Sequence, residues 1–132
     1  GDKWIPIIIR DIALFNRRTF NDILKNNIEN ISSGSLSSRF KLMLDLNLLE
    51  IGASESHAQK KPYYLTEAGI SFVPILFNLA AWTTEFRTPA ADIVALAKPY
   101  LTDDADRMEW LLEQLRTFNI HKTKEPEPLW WA

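Results

Sequence analysis

Residues 31–49 read ISSGSLSSRFKLMLDLNLL, and this stretch decides the fold of the chain. Ser32 can accept a hydrogen bond from an unpaired amide of a first helical turn, so a helix is predicted to begin directly after it. Leu36, Phe40 and Met43 follow at spacings of four and three, which places them on one face of that helix. The opposite side carries glycine, serine, lysine and aspartate. The sequence therefore predicts a helix with one face in a core and a small, polar face exposed.

Two helices are predicted before this stretch and a β-hairpin after it. Residues 3–14 are apolar on nearly every side, which predicts a helix that is buried all round. Residues 15–18 break that helix and could hold a short strand, and Thr19 is a good N-cap for a second helix. Strands are predicted at 48–53 and 62–65, with a polar hairpin tip between them.

A long helix and a helical extension complete the chain. Thr66 caps a predicted helix over 67–86, and Pro74 lies inside it and should bend it. Beyond this helix, a cap-plus-proline signal predicts a helix over 89–98. Another helix is expected after Thr102, and a charged, proline-bearing tail ends in Leu-Trp-Trp.

The composition excludes several function classes. The chain has 132 residues, no cysteine and two histidines, so disulfides, thiolate catalysis and Cys-based zinc sites are excluded. No nucleophile–base constellation is visible, and we predict neither an enzyme nor a cofactor or metal site. No apolar run is long enough to span a bilayer, so a cytoplasmic protein without a membrane partner is expected.

The order of the elements is helix, short strand, helix, helix, strand, polar tip, strand, long helix. This is the order of a winged helix-turn-helix, in which the third helix enters the DNA major groove and the wing lies beside it. The predicted fold is therefore mostly α with a small β-wing. A winged helix-turn-helix DNA-binding domain is expected over 1–87, and a C-terminal helical extension and tail, suited to dimerisation, over 88–132.

Four segments in series carry a family resemblance. They are GDKWIPIIIRDIAL at 1–14, RRTFNDIL at 17–24, the helix stretch quoted above, and YYLTEAGISFVPILFNLAAW at 63–82. In this order the chain resembles the HxlR-type winged-helix transcription regulators, which are related to the MarR group. Asn47 stands where that family usually has glycine, and asparagine tolerates the left-handed conformation needed to leave a helix.

The resemblance implies a bacterial, dimeric, cytoplasmic DNA-binding regulator of transcription. It implies dimer contacts through the first helix and the helices after the wing. Many family members carry a sensing cysteine before the first helix, and this chain has none.

The DNA-reading candidates lie on the recognition helix (about 33–46), on the wing (about 52–62) and before the second helix. Serines can bond phosphates or base edges, and lysine or arginine can neutralise a phosphate. The candidates are Ser33, Ser35, Ser37, Ser38, Arg39, Lys41, His57, Gln59, Lys60, Lys61, Arg17 and Arg18. Residues 1–61 hold nine basic and seven acidic side chains, so this half is mildly basic although the whole chain has a formal charge of −2.

The expected dimer interface uses apolar residues of the first helix and of the helices after the wing. They are Trp4, Ile5, Ile9, Trp82, Phe86, Met108, Leu111 and Leu115. Aromatic residues could alternatively line a pocket for a small-molecule effector, although such stripes are more often core. Those residues are Trp82, Trp110, Phe77, Phe86 and Phe118.

Two functions remain open from the sequence. The first is a homodimer that binds a pseudo-palindromic operator in double-stranded DNA, with two recognition helices about 34 Å apart. The second is a winged-helix protein–protein interaction module without DNA binding, which the net acidity and the serine-rich face permit.

Overall fold

The computed structural model describes residues 3–52, 61–86 and 105–128. Its elements in chain order are α1 (Trp4–Phe15), α2 (Phe20–Asn26), α3 (Ser33–Asp45), β1 (Leu49–Ile51), β2 (Tyr63–Leu65), α4 (Glu67–Ser71), α5 (Val73–Phe86), α6 (Ala105–Arg116) and a π-helical turn (Thr117–His121). The two strands pair antiparallel, with Glu50 opposite Tyr64. The predicted fold class, a mostly helical winged helix-turn-helix with a small hairpin, is confirmed.

Three of the predicted helix caps are present, and Thr102 lies outside the described residues. The hydroxyl oxygens of Thr19, Ser32 and Thr66 each accept a hydrogen bond from the backbone amide three residues later, at 3.1, 3.1 and 3.2 Å. Such caps satisfy amides that the first turn of a helix leaves unpaired. Asn47 leaves α3 with a φ of 58°, so the asparagine adopts the left-handed conformation predicted for it.

The long helix after the hairpin is divided rather than only bent. It ends at Ser71 and begins again at Val73, with Phe72 at the junction. Pro74 has no amide to donate to the carbonyl of Ile70, and its ring clashes with a helical carbonyl at that position. The chain therefore breaks at the proline predicted to bend it.

The strand predicted over residues 15–18 is not formed. Residues 16–18 are irregular, and their backbone contribution to the sheet is one hydrogen bond, in which the Tyr63 amide donates to the Arg18 carbonyl at 2.7 Å. The left-handed turn at Asn16, with a φ of 55°, leaves too few extended residues for a strand.

The core combines the winged domain with the last helix. Ile8, Ile9 and Ile12 of α1 are fully buried in it, and so are Leu111 and Leu115 of α6. Residues of the 88–132 segment thus share one hydrophobic cluster with those of the 1–87 segment. The helix predicted over 89–98 lies outside the described residues. Among the described residues, no helix is long and apolar enough to cross a bilayer.

Candidate nucleic-acid interface

The orientation of α3 is set by one aromatic side chain, Phe40. Its ring stacks on Tyr63 of β2 with centroids 4.0 Å apart and an interplanar angle of 19°. A second, tilted ring contact joins it to Phe20 of α2, with centroids 6.2 Å apart. Together with Leu36 and Met43, which are buried, this contact places α3 against both α2 and the hairpin. The face opposite Phe40 is therefore directed outward.

That outward face has the predicted polar character. Ser33, Ser37, Ser38 and Lys41 are exposed, as is Gly34 near the centre of the face. A Cβ atom added at Gly34 would meet nothing within 4 Å. Residues 33–41 of α3 therefore present hydroxyl groups, one ammonium group and open space to a partner.

Two other α3 candidates lie at the margins of this face. Ser35 is half-buried, and its amide donates to the Ser32 hydroxyl at 3.1 Å. Arg39 is half-buried too, and its Nη1 lies 3.4 Å from the Ser38 hydroxyl. Both flank the face rather than form its centre.

The remaining basic candidates are distributed around α3. Arg17 is half-buried, with its guanidinium 4.9 Å from the Phe15 ring and 3.7 Å from the Asp11 carboxylate. Lys61 is half-buried at the base of the second strand. His57, Gln59 and Lys60 lie outside the described residues.

Arg18 is not available to DNA, and its prediction as a contact is corrected. Only 6% of this residue is exposed. Its Nη1 donates to the Tyr63 carbonyl at 3.2 Å and to the Asn119 side-chain oxygen at 2.6 Å. Burial lowers the pKa of Arg18 to about 10, so the guanidinium is still charged at neutral pH. Arg18 therefore has a structural role, in which it joins Tyr63 to Asn119.

A polar network that holds the helix-turn-helix was not predicted from the sequence. The Asp11 carboxylate is fully buried and accepts from Arg10 at 2.7 Å and from the Asn27 side-chain amide at 3.0 Å. The Asn27 oxygen accepts from the Ile31 amide at 3.2 Å, and Arg10 also pairs with Glu29 at 2.7 Å. Desolvation opposes the charge on Arg10, but hydrogen bonds to Glu29 and Asp11 outweigh it and raise its pKa. The Arg-Asp pair was visible in the family motif, but its partners were not.

Burial corrects part of the expected dimer interface. Ile9, Leu111 and Leu115 have no exposed surface, because they fill the hydrophobic core of the chain itself. They cannot contact a second copy while the fold is intact. Trp4, Ile5 and Met108 are partly buried against the same core, and the side chain of Phe86 lies outside the described part of the chain.

An apolar stripe on α5 is exposed. Ile75, Leu79 and Trp82 follow at spacings of four and three and are 53, 53 and 48% exposed. Residues at this spacing lie on one face of a helix. This face, which we call the α5 stripe, contains one of the predicted interface residues, Trp82.

The aromatic residues considered for an effector pocket differ in how far they are buried. Phe77 and Phe118 are buried in the core, whereas Trp110 and Trp82 are partly exposed. The guanidinium of Arg107 lies 5.3 Å from the Trp110 ring. The two buried phenylalanines therefore have a packing role.

The fold and the outward face of α3 define the class: a winged helix-turn-helix protein of the kind that binds DNA. The chain belongs to the HxlR-like helix-turn-helix family, whose model matches residues 1–91. The family resemblance inferred from the sequence is confirmed.

Curated relatives carry names that agree with this class. The chain is 30% identical over 86 residues to the "Uncharacterized HTH-type transcriptional regulator MT3179" of Mycobacterium tuberculosis strain CDC 1551 / Oshkosh, a match that covers 65% of this chain and 52% of that protein. It is 29% identical over the same length, with the same coverage, to "Uncharacterized HTH-type transcriptional regulator Mb3122" of Mycobacterium bovis. The match thus spans about half the length of these relatives. No solved structure gives a significant match.

Proposed function

We propose that the chain regulates transcription as a homodimer that binds a pseudo-palindromic operator. The observation that carries this proposal is the outward face of α3, which is polar, exposed and held in place by Phe40 between α2 and β2. In the proposed complex this face enters the major groove, where serine hydroxyls bond base edges or phosphates.

Basic side chains near α3 would supply the phosphate contacts. Lys41 is exposed on α3, and Arg17 and Lys61 are half-buried on neighbouring segments. His57, Gln59 and Lys60 belong to the proposed wing. Each phosphate neutralised by such a side chain releases counterions, so binding should weaken steeply as salt rises.

The second copy is proposed to cover the α5 stripe. Three large apolar side chains, each about half exposed, lie on one helix face, and exposed apolar patches of this kind often mark interaction sites. Trp4 and Ile5 of α1 are incompletely buried, and α1 packs against α5. A dimer through these helices would carry two recognition helices, with half-sites about 34 Å apart.

The test is DNA binding measured as a function of salt. A duplex is first selected from a random pool by the wild-type protein, and Lys41→Ala is then compared with wild type. Loss of one phosphate contact should weaken binding to all sequences alike and lower the salt slope by about one per protomer. Lys124→Ala, the same charge change in the exposed tail, is the matched control. Equal slopes for wild type and Lys41→Ala would remove Lys41 from the interface.

One observation favours the alternative function, a protein interaction module. Leu42 on the C-terminal half of α3 and Leu46, the residue that follows this helix, are 37 and 55% exposed, and Asp45 beside them would repel phosphate. If the wild-type protein is dimeric in gel filtration but selects no duplex even at low salt, this alternative replaces the regulator.

A further inference from the structure

The edge of β2 that faces away from β1 pairs with side-chain and backbone groups of distant segments rather than with a third strand. On that edge the Tyr63 amide donates to the Arg18 carbonyl at 2.7 Å, and the Tyr63 carbonyl accepts from Arg18 Nη1 at 3.2 Å. The Leu65 amide, next along the edge, donates to the side-chain oxygen of Asn119 at 3.0 Å. Three outward backbone groups of β2 are thus paired, as an interior strand's would be.

Asn119 is the centre of this arrangement. It is fully buried, and its oxygen accepts from both Leu65 and Arg18, the latter at 2.6 Å. Its amide group donates to the Leu115 carbonyl of the preceding helical turn at 2.8 Å. One side chain therefore joins the π-helical turn after α6 to the hairpin and to the loop before α2.

The outer face of the hairpin is held by the same segment. A Cβ at Gly52 would collide with the Tyr64 ring, so that ring lies directly on the β1 end of the hairpin. Lys122 Nζ lies 4.4 Å from the centroid of the Tyr64 ring and 3.8 Å from the Glu50 carboxylate. The Arg18 guanidinium lies 5.1 Å from the same centroid.

We propose that Asn119, Arg18 and Lys122 form a brace that sets the position of the wing for DNA binding. Each strand has three residues, and a two-stranded hairpin of that size is marginally stable alone. Its direction therefore depends on what closes its edge and its outer face. Two of the three brace residues lie beyond the segment matched by the family, so the brace is a feature of this chain's extension. The inference rests on the proposed function, because it assumes that the wing contacts DNA.

The brace is tested with full-length Asn119→Ala on the duplex selected by the wild-type protein. We expect faster amide hydrogen exchange at Leu65 and at least about a tenfold loss of affinity near physiological salt. The salt slope should become shallower by about two per protomer, because the Lys60 and Lys61 contacts are lost. The Lys60→Ala/Lys61→Ala variant should show the same slope, and adding Asn119→Ala to it should change the slope no further. An unchanged affinity and slope with faster exchange at Leu65 would overturn the brace.

A surface variant keeps the test decisive if Asn119→Ala does not fold. Lys122→Ala removes the contacts to Tyr64 and Glu50 from an exposed position. We expect a two- to threefold loss of affinity, about the effect of one weakened contact. In the Lys60→Ala/Lys61→Ala background this loss should vanish. A loss that persists there would mean that Lys122 binds DNA directly, and no loss in the wild-type background would also overturn the brace. If the wild-type protein itself selects no duplex, the proposed function fails instead.

Discussion

At the scale of single residues, asparagine rather than glycine adopts the left-handed backbone conformation at three positions. Asn16, Asn30 and Asn47 have φ values of 55, 55 and 58°, in the left-handed region. Asparagine enters this region more readily than other non-glycine residues because its side chain can bond the nearby backbone. The prediction for Asn47 could be made from the sequence because the position, after α3 and before a strand, required a turn.

Asn47 provides the first test. Asn47→Ala should lower the free energy of unfolding by about 1 kcal/mol, because alanine meets a steric cost in the left-handed region. Asn47→Gly should leave it nearly unchanged or raise it slightly. Urea denaturation of the three proteins checks this, and equal destabilisation by alanine and glycine would show that the side chain of Asn47 matters more than its backbone angle.

Two glycines provide the second test because their surroundings are opposite. A Cβ at Gly34 meets nothing, whereas a Cβ at Gly69 would collide with the Leu48 carbonyl. Gly34→Ala should therefore raise the free energy of unfolding by up to about 1 kcal/mol, from the higher helix propensity of alanine. Gly69→Ala should lower it by more than about 1 kcal/mol, because backbone must move. Thermal unfolding measures both, and a destabilised Gly34→Ala would show that α3 is held differently from the structure described.

At the scale of elements, the Arg10–Asp11 network connects α1 to the two helices of the helix-turn-helix. Asp11 is in α1, Asn27 ends α2, and the Ile31 amide that Asn27 binds lies just before α3. The sequence showed the Arg-Asp pair but could not show this chain of contacts, because its partners lie 16 or more residues away. The spacing of apolar residues predicts which face of a helix is buried, but it does not predict which residues that face contacts.

Asp11 gives the third test. Asp11→Ala should lower the free energy of unfolding by about 2–4 kcal/mol, since it leaves the buried Asn27 amide without its acceptor and removes one of the two carboxylates that pair with Arg10. Glu29→Ala, at the partly exposed end of the same network, should cost about 1 kcal/mol or less. Chemical denaturation compares the two, and similar losses for both would mean that the buried carboxylate has no special role.

At the scale of the whole molecule, the sequence predicted the fold class correctly and the tertiary contacts of individual residues only in part. Ser32 and Thr66 act locally, and both cap their helices as predicted. Pro74 was expected only to bend the helix, and the helix is divided next to it. The roles of Arg18, Ile9 and Leu115 were misassigned, because each is buried by residues remote in the chain. Arg18, for example, is bound by Asn119, which lies 101 residues further on. A basic residue before a helix and an apolar residue on a helix look the same in sequence whether a partner molecule or the chain itself covers them.

The α5 stripe gives the fourth test. Leu79→Lys places a charge in the proposed dimer contact at a residue that is about half exposed, so the fold of the protomer should persist. We expect wild type to sediment as a dimer and Leu79→Lys as a monomer with weakened DNA binding. Ser71→Lys, on the exposed side of α4, should remain dimeric. A dimeric Leu79→Lys protein would place the interface elsewhere.

The hydroxyl groups on α3 have a consequence for the genes that such a protein could control. A serine hydroxyl can donate or accept a hydrogen bond, so it is compatible with several bases, whereas a bidentate arginine is specific for guanine. Promoters bound in this way would differ in base sequence but share the same spacing between their two half-sites. A genome-wide map of occupied promoters should therefore show half-sites that vary in sequence but lie a constant distance apart. The distance between the two recognition helices of the dimer would then determine which genes respond.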